Sequence, residues 1–442
     1  MGIFSKIFSK SEQNVPDNNQ YTFKFGRYTD MNKSKFQLKN WDESVRLYKE
    51  KEYIKGFEAF LLYIKEENKN NVEWKNSVNS DIHFTILQGS RQIKGRINSK
   101  EITAETELAK ISQPNVGFMR KLLNLNYLMQ YTRFAIHDNS ISQRFYSSTQ
   151  SLNPSKIYAA LKEMALNGDK QDDLLIQEFS GLESIEQGII HNINENEAKV
   201  KYKYFIKWID KAIETVDKHS DQRVIPGNSW VLLNLIYKLD YLVSPEGSLV
   251  YELEKISQQY FNNKTGTDFE KNREMINAIK QLRNIEESAF LKSMYTVEQT
   301  FGVLTPASHK TVYEFILDKM KDTKWYLENR YYEIELNIYE YILGYCFFSY
   351  GMFQPTKELM HMGMVIFNPD FFNDLGVNHQ FIDAPNGKLN KVAIEKNIQK
   401  IMLKWKAEYP KMDFKLSRLR YESVADFMYS YLDEITYLNF QK

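Results

Sequence analysis

The sequence holds a single cysteine, Cys346, in 442 residues. That excludes an intrachain disulfide and a multi-cysteine zinc site, and an unstapled chain of this length suits a reducing compartment such as the cytoplasm. Glycine (18) and proline (10) are also scarce, which counts against an all-β protein built on frequent tight turns. Neither sign of charge is in excess: 58 Lys+Arg face 57 Asp+Glu, a formal net charge of +1. A duplex-DNA binder takes much of its affinity from phosphate neutralisation, so nucleic acid is left with at most a local basic patch. Long apolar runs are missing too. The nearest, Tyr341 to Phe353, is interrupted by Gly344 and Gly351. As a helix it would reach only about 20 Å, short of the hydrocarbon core of a bilayer. It reads as a buried core helix, and no transmembrane segment is expected.

What is abundant is aromatic: 28 Phe, 29 Tyr and 6 Trp. With 43% hydrophobic and 26% charged residues the chain has globular composition, not that of a disordered polymer. The first ten residues place Ile3, Phe4, Ile7 and Phe8 on one helical face with Lys6 and Lys10 at its edge. This is a weak pattern for peripheral membrane contact, and a frayed terminus is the plainer reading. Residues 1–37 as a whole, polar and carrying Pro16 and Gly26, read as a flexible leader.

From Asn40 a helical period sets in. Trp41, Val45 and Tyr48 lead into Phe57, Phe60, Leu61 and Ile64, read as one helix ending at Asn68–Asn71. Ile82, Phe84 and Ile86 then alternate with His83, Thr85 and Leu87, a strand period. Gln88-Gly89-Ser90 turns the chain into strands at 92–97 and 101–108. A helix after Pro114 carries Phe118, Leu122 and Leu125. Two more strands, 132–137 and 141–147, flank an Asp138-Asn139 turn. Asn153 caps a helix with Pro154 at its first position. Ile157, Leu161 and Met164 lie along it and Gly168 stops it, and Leu174, Leu175, Glu178 and Phe179 start another.

Beyond about Glu195 no strand pattern is convincing. Helices are expected at 196–219, 229–243, 246–262, 268–301, 307–329, 330–353, 355–366, 389–409 and 421–439, with Gly and Pro at most breaks. Phe367 to Lys388 is the one long irregular loop, a length often functional or mobile. The expected fold class is therefore α+β: an N-terminal helix and antiparallel sheet module over 38–190, then an all-α region over 191–442, as a bundle or irregular solenoid.

The first of these regions resembles the YbjN-like group, which shares its fold with type III secretion chaperones. The resemblance rests on Gln92-Ile93-Lys94-Gly95-Arg96, on Leu122-Leu123-Asn124-Leu125-Asn126, and on Arg133-Phe134-Ala135-Ile136 followed by Asp138-Asn139-Ser140-Ile141. It covers about residues 38–188. It implies a helix–sheet sandwich that binds other polypeptides and often pairs with itself. None of its residues is catalytic, and the long helical half departs from it.

Motifs for chemistry are sparse. There is no Walker A or G-x-G-x-x-G phosphate loop, no H-E-x-x-H and no G-x-S-x-G elbow. Cys346, among Tyr345, Phe347 and Phe348, reads as core. Glu358-Leu-Met-His361 has a metal-ligand spacing, and Glu340 could join it, but a di-iron bundle needs a second such motif that the sequence lacks. Lys199, Lys203, Lys207 and Lys211 recur every four residues among Tyr202, Tyr204, Phe205 and Trp208, a stripe that could follow a phosphate backbone. The plainer reading makes them the solvated side of a helix buried through Phe205, Ile209 and Ile213. Tyr331, Tyr332, Tyr339, Tyr341, Tyr345 and Tyr350 crowd one region, as core or as the wall of a peptide groove.

The expected function is non-enzymatic, with no cofactor and no metal: a protein-binding adaptor or chaperone-like factor acting inside the cell. Its partner would be another polypeptide or a second copy, held by the exposed sheet face through Phe84 and Ile86 or by the helical surface through Tyr339 and Tyr345. The alternatives are a nucleic-acid binder using the Lys199–Lys211 helix and a metal-dependent helical enzyme using Glu340, Glu358 and His361.

Overall fold

The computed structural model describes residues 23–77, 81–219, 221–383 and 387–441. The pattern in residues 1–10 lies outside them. The protein is α+β, an antiparallel sheet followed by many helices.

Helix α1 (Lys35–Lys49) opens on a capping box between Ser34 and Gln37. It does not run on into α2 (Tyr53–Ile64). The break falls at Lys51, whose φ is +65°. The two helices fold back on each other, with the Ser44 hydroxyl donating to the Gly56 carbonyl at 2.7 Å and the Tyr48 ring 2.6 Å from where a Cβ on Gly56 would sit. One apolar period thus serves two helices facing the same core.

The sheet comprises β1 (Val72–Asn76), β2 (Ile82–Gln88), β3 (Arg91–Ile97) and β4 (Glu101–Ile111), then, after α3 (Val116–Leu128), β5 (Arg133–His137) and β6 (Ser140–Ser148). The order is β1-β2-β3-β4-β6-β5, and β7 (Leu182–Ser184) pairs with the end of β4. Asp138 and Asn139 have φ of +47° and +58°, the paired left-handed residues that a two-residue hairpin of this twist demands. Helix α4 (Pro154–Glu178) lies across the inner face, capped by Asn153 as expected. Gly168 does not stop it. The residue faces the sheet, where the Thr106 methyl would stand 3.0 Å from an added Cβ, so here glycine permits close approach of helix and sheet.

The helical half contains α5 (Glu195–Lys218), α6 (Ile225–Lys238), α7 (Ser248–Asn262), α8 (Asp268–Arg283), α9 (Glu287–Leu291), α10 (His309–Glu328), α11 (Tyr332–Ser349), α12 (Gln354–Phe367), α13 (Pro369–Asp374), α14 (Lys391–Trp405) and α15 (Val424–Thr436). Helices α6 and α11 pack on each other and are buried nearly all round, as expected of helices with little polar face. The helix expected over 268–301 ends at Arg283, and beyond α9 the chain leaves helical form. This segment crosses to the sheet. Glu298 O accepts from Gly89 N at 3.0 Å, Gln88 Oε1 accepts from Thr300 N and Phe301 N at 3.1 and 2.9 Å, and the Phe301 ring joins the core beneath the sheet.

A second tie comes from residues 23–34, within the stretch read as a flexible leader. They form a strap between the halves. Arg27 is the anchor: its guanidinium meets Asp240 Oδ1 at 2.6 Å and Glu254 Oε1 at 2.6 Å and lies 4.2 Å over the Phe348 ring. Burial works against its charge, and the two carboxylates more than offset this, so the group stays ionised. Toward the sheet, Tyr158 donates to Asp30, and Lys33 pairs with Glu66 at 2.8 Å.

Beside the strap, α4 presents Asp169, Asp172 and Asp173. Asp172 takes the Arg91 guanidinium and the Ser90 hydroxyl at 2.6 Å. Burial, then the neighbouring Asp172, push the Asp173 carboxyl up from 3.8 to about 7, with Arg91 opposing and Glu246 adding to the rise.

Two outcomes follow for stability. Arg27→Met leaves Asp240 buried without its cation and Glu254 with Lys170 alone, and is expected to cost about 3–5 kcal/mol in denaturant unfolding. Asp173 binds its proton more tightly folded than unfolded. Its stabilising contribution is therefore full below the ordinary carboxylate pKa and is lost as pH rises to about 7. Asp173→Asn should flatten that decline and raise the melting temperature at pH 8 by roughly 2–4 °C, measured by calorimetry across pH 4 to 8.

Candidate functional site: an apolar stripe on α3

The residues expected to bind a partner are scattered. Phe84 and Ile86 are buried on the inner face of β2, Phe84 with its ring 5.1 Å from that of Phe57. The alternation is real, but it marks the face that α2 and α4 cover, so no partner reaches these side chains in the folded protein. Tyr345 is half-buried and stacked on Phe315 at 4.4 Å. Tyr339 sits on a different face of α11, at the floor of an open groove of about 1030 Å³ between α10, α11 and α15. Its hydroxyl donates to Glu335 Oε1 at 3.3 Å. Burial raises the Glu335 carboxyl, and Oε2 has no hydrogen-bond partner. The tyrosine-rich region is thus mostly core, with one tyrosine-lined groove at its edge.

The lysine stripe on α5 is neutralised. Lys199 pairs with Glu195, Lys203 with Asp374, Lys207 with Asp370 and Lys211 with Glu333. The three metal candidates are engaged separately. Glu340 meets Lys238 at 2.6 Å and the Asn234 and Asn368 amides at 2.7 Å each. Glu358 meets Lys404 at 2.5 Å, and His361 Nδ1 lies 2.8 Å from the Tyr241 hydroxyl. Among the described residues no cluster of three or more His, Cys, Asp or Glu could hold a metal ion. Cys346 is fully buried, and burial pushes its thiol up, away from nucleophilic use. No described helix is long and apolar enough to cross a membrane.

The surface that stands out is one the sequence reading passed over. Helix α3 carries two apolar stripes on opposite sides. Phe118, Leu122 and Leu125 face inward against Leu108, Phe134 and Ile141. Val116, Met119, Leu123 and Tyr127 fall at i, i+3, i+7 and i+11 on the outer side, with Val116 63%, Leu123 68% and Tyr127 90% exposed. Leu128, Tyr131 and Ile136 continue the exposed apolar surface past the end of the helix and onto β5. Isolated exposed apolar residues need no explanation, whereas four of them along one helical face do.

Strand β5 is the sheet edge beside this helix. Its outward amide groups at Phe134 are already taken: Phe134 N donates to Asn126 Oδ1 at 2.6 Å and the Asn126 amide donates to Phe134 O at 2.9 Å. A side chain of α3 thereby takes up part of this edge, as an added strand would. The α3 sequence carries no carboxylate, and of its two cations Lys121 is paired with Glu178 at 2.8 Å, which leaves Arg120. The arrangement suits an apolar helix with acidic flanks better than an extended strand.

No family model matches the sequence, and no curated protein matches it.

The two faces of α3 should separate on mutation. Phe118→Ala is expected to cost about 3–5 kcal/mol as a core truncation, whereas Leu123→Ser should change unfolding free energy by no more than about 0.5 kcal/mol. Urea denaturation of both variants checks this.

Proposed function

We propose that this protein is a non-enzymatic protein-binding adaptor or chaperone-like factor working inside the cell, and that its docking surface is the outer face of α3. The observation that carries the reading is the exposed Val116–Met119–Leu123–Tyr127 stripe on a helix whose opposite stripe is already buried. A helix that is apolar on both sides is one normally covered on both sides. The favoured occupant is an amphipathic helix of another polypeptide, its apolar face on this stripe and its acidic flank near Arg120. The resemblance of residues 38–188 to the YbjN-like group and the secretion chaperones points the same way, since those proteins hold other polypeptides on a comparable helix and sheet unit.

The test is a photo-crosslinking residue at position 123, with a second at exposed Leu403 on α14 as a control, each introduced into the full chain in its native cell. A discrete adduct at position 123, absent at 403 and lost when Tyr127→Asp is added, is the expected result. Adducts of the same pattern at both positions, or none at either, would overturn the reading. An adduct of twice the chain's mass would make the occupant a second copy.

A further inference from the structure

Phe23 and Phe25, at the start of the strap, border a cavity of about 460 Å³ against α12 and α14. Its charged lining is unbalanced. Glu358 is paired with Lys404. Lys357 and Lys400, on the same walls, have no carboxylate partner among the described residues. Lys357 is half-buried, and burial lowers its pKa, the mark of an ammonium short of solvation and of a counter-charge.

Two histidines complete the wall. His361 lies one helical turn after Lys357 on α12. Burial, with His379 and Lys357 nearby, lowers its pKa to about 4, so the ring is neutral near pH 7. The Tyr241 phenol, raised by burial, keeps its proton, and its hydroxyl lies 2.8 Å from His361 Nδ1. If the phenol donates to Nδ1, the imidazole proton sits on Nε2 and the ring can act as an N–H donor. His379, stacked on Phe381 at 5.3 Å, is shared with an adjoining cavity of about 710 Å³ beneath the loop after α13. This is the long irregular loop that stood out in the sequence.

We propose that the first cavity binds the phosphate group of a small phosphorylated molecule through Lys357, Lys400 and His361, and that the adjoining cavity under the loop receives the rest of the ligand. Lys357 and His361 come from successive turns of α12 and Lys400 from α14, so cationic and polar groups line two walls of the cavity, which suits an anion with several oxygens. A planar carboxylate is better served by an arginine fork, and neither cavity is lined by arginine. The Val377, Phe372 and Phe381 side chains give the second cavity an apolar wall for a ligand body.

The experiment is calorimetric titration of the full chain with inorganic phosphate and pyrophosphate at constant ionic strength, with acetate as the control anion, alongside NMR of the His361 ring. Saturable binding of pyrophosphate but not acetate, a shift of the His361 resonances, and a loss of affinity of about tenfold or more in Lys400→Ala and Lys357→Met are expected. Lys400 is exposed, so its variant keeps the test intact if Lys357→Met fails to fold. Absence of saturation, or affinity unchanged in both variants, would overturn the proposal. A separate arm uses phosphatidylcholine vesicles with and without phosphatidic acid. Binding to the anionic vesicles with none to the soluble phosphates would also overturn it.

Discussion

Among the ties between the two halves of this protein, the most constrained is a buried cation, Arg27. Arg27 reaches from an irregular strap into a site where Asp240 and Glu254 converge. Neither carboxylate comes from the strap, and without the guanidinium Asp240 would be left buried beside Glu254, whose other cation is Lys170 of α4 at 3.2 Å. Such a pair contributes little net stability compared with apolar packing, because both signs of charge had to leave water. Its effect is on specificity. An arrangement of strap, α6 and α7 that fails to bring all three groups together is strongly disfavoured, so the charge arrangement selects one docking geometry.

The sheet and most of the helices were legible because their signals are local. Ile82, Phe84 and Ile86 alternate, Asp138-Asn139 supplies two residues that tolerate positive φ, and Asn153-Pro154 marks a helix start. The misreadings share a cause: one-dimensional patterns cannot say what covers a residue. Gly168 reads as a stop because glycine is a poor helix former, yet a neighbouring sheet requires it inside a helix. Residues near 300 keep an apolar spacing compatible with helix, yet Phe301 belongs to a core built from residues 48–165. Alternation identified the strand around Phe84, but it is blind to which face meets water.

The candidate site was hidden for the complementary reason. A helix with Phe118, Leu122 and Leu125 on one side satisfies the expectation of an amphipathic element, and attention stops there. Val116, Met119, Leu123 and Tyr127 repeat at an equally helical spacing half a turn away. That second stripe was available as a signal. The polar strap, by contrast, offered none: Arg27 looks like any surface arginine until the fold supplies Asp240, more than two hundred residues later.

The placement of Phe301 has a consequence for how the chain comes into being. The sheet and its covering helices are complete in sequence by Ser184, but the core beneath them keeps a gap until a residue more than a hundred positions further on is available. During synthesis from the N-terminus the sheet unit therefore emerges with its backbone assembled and its interior unfinished. It is sealed only when the strand of chain after α9 is delivered to it. The interior of the first half is thus completed only by a residue of the second.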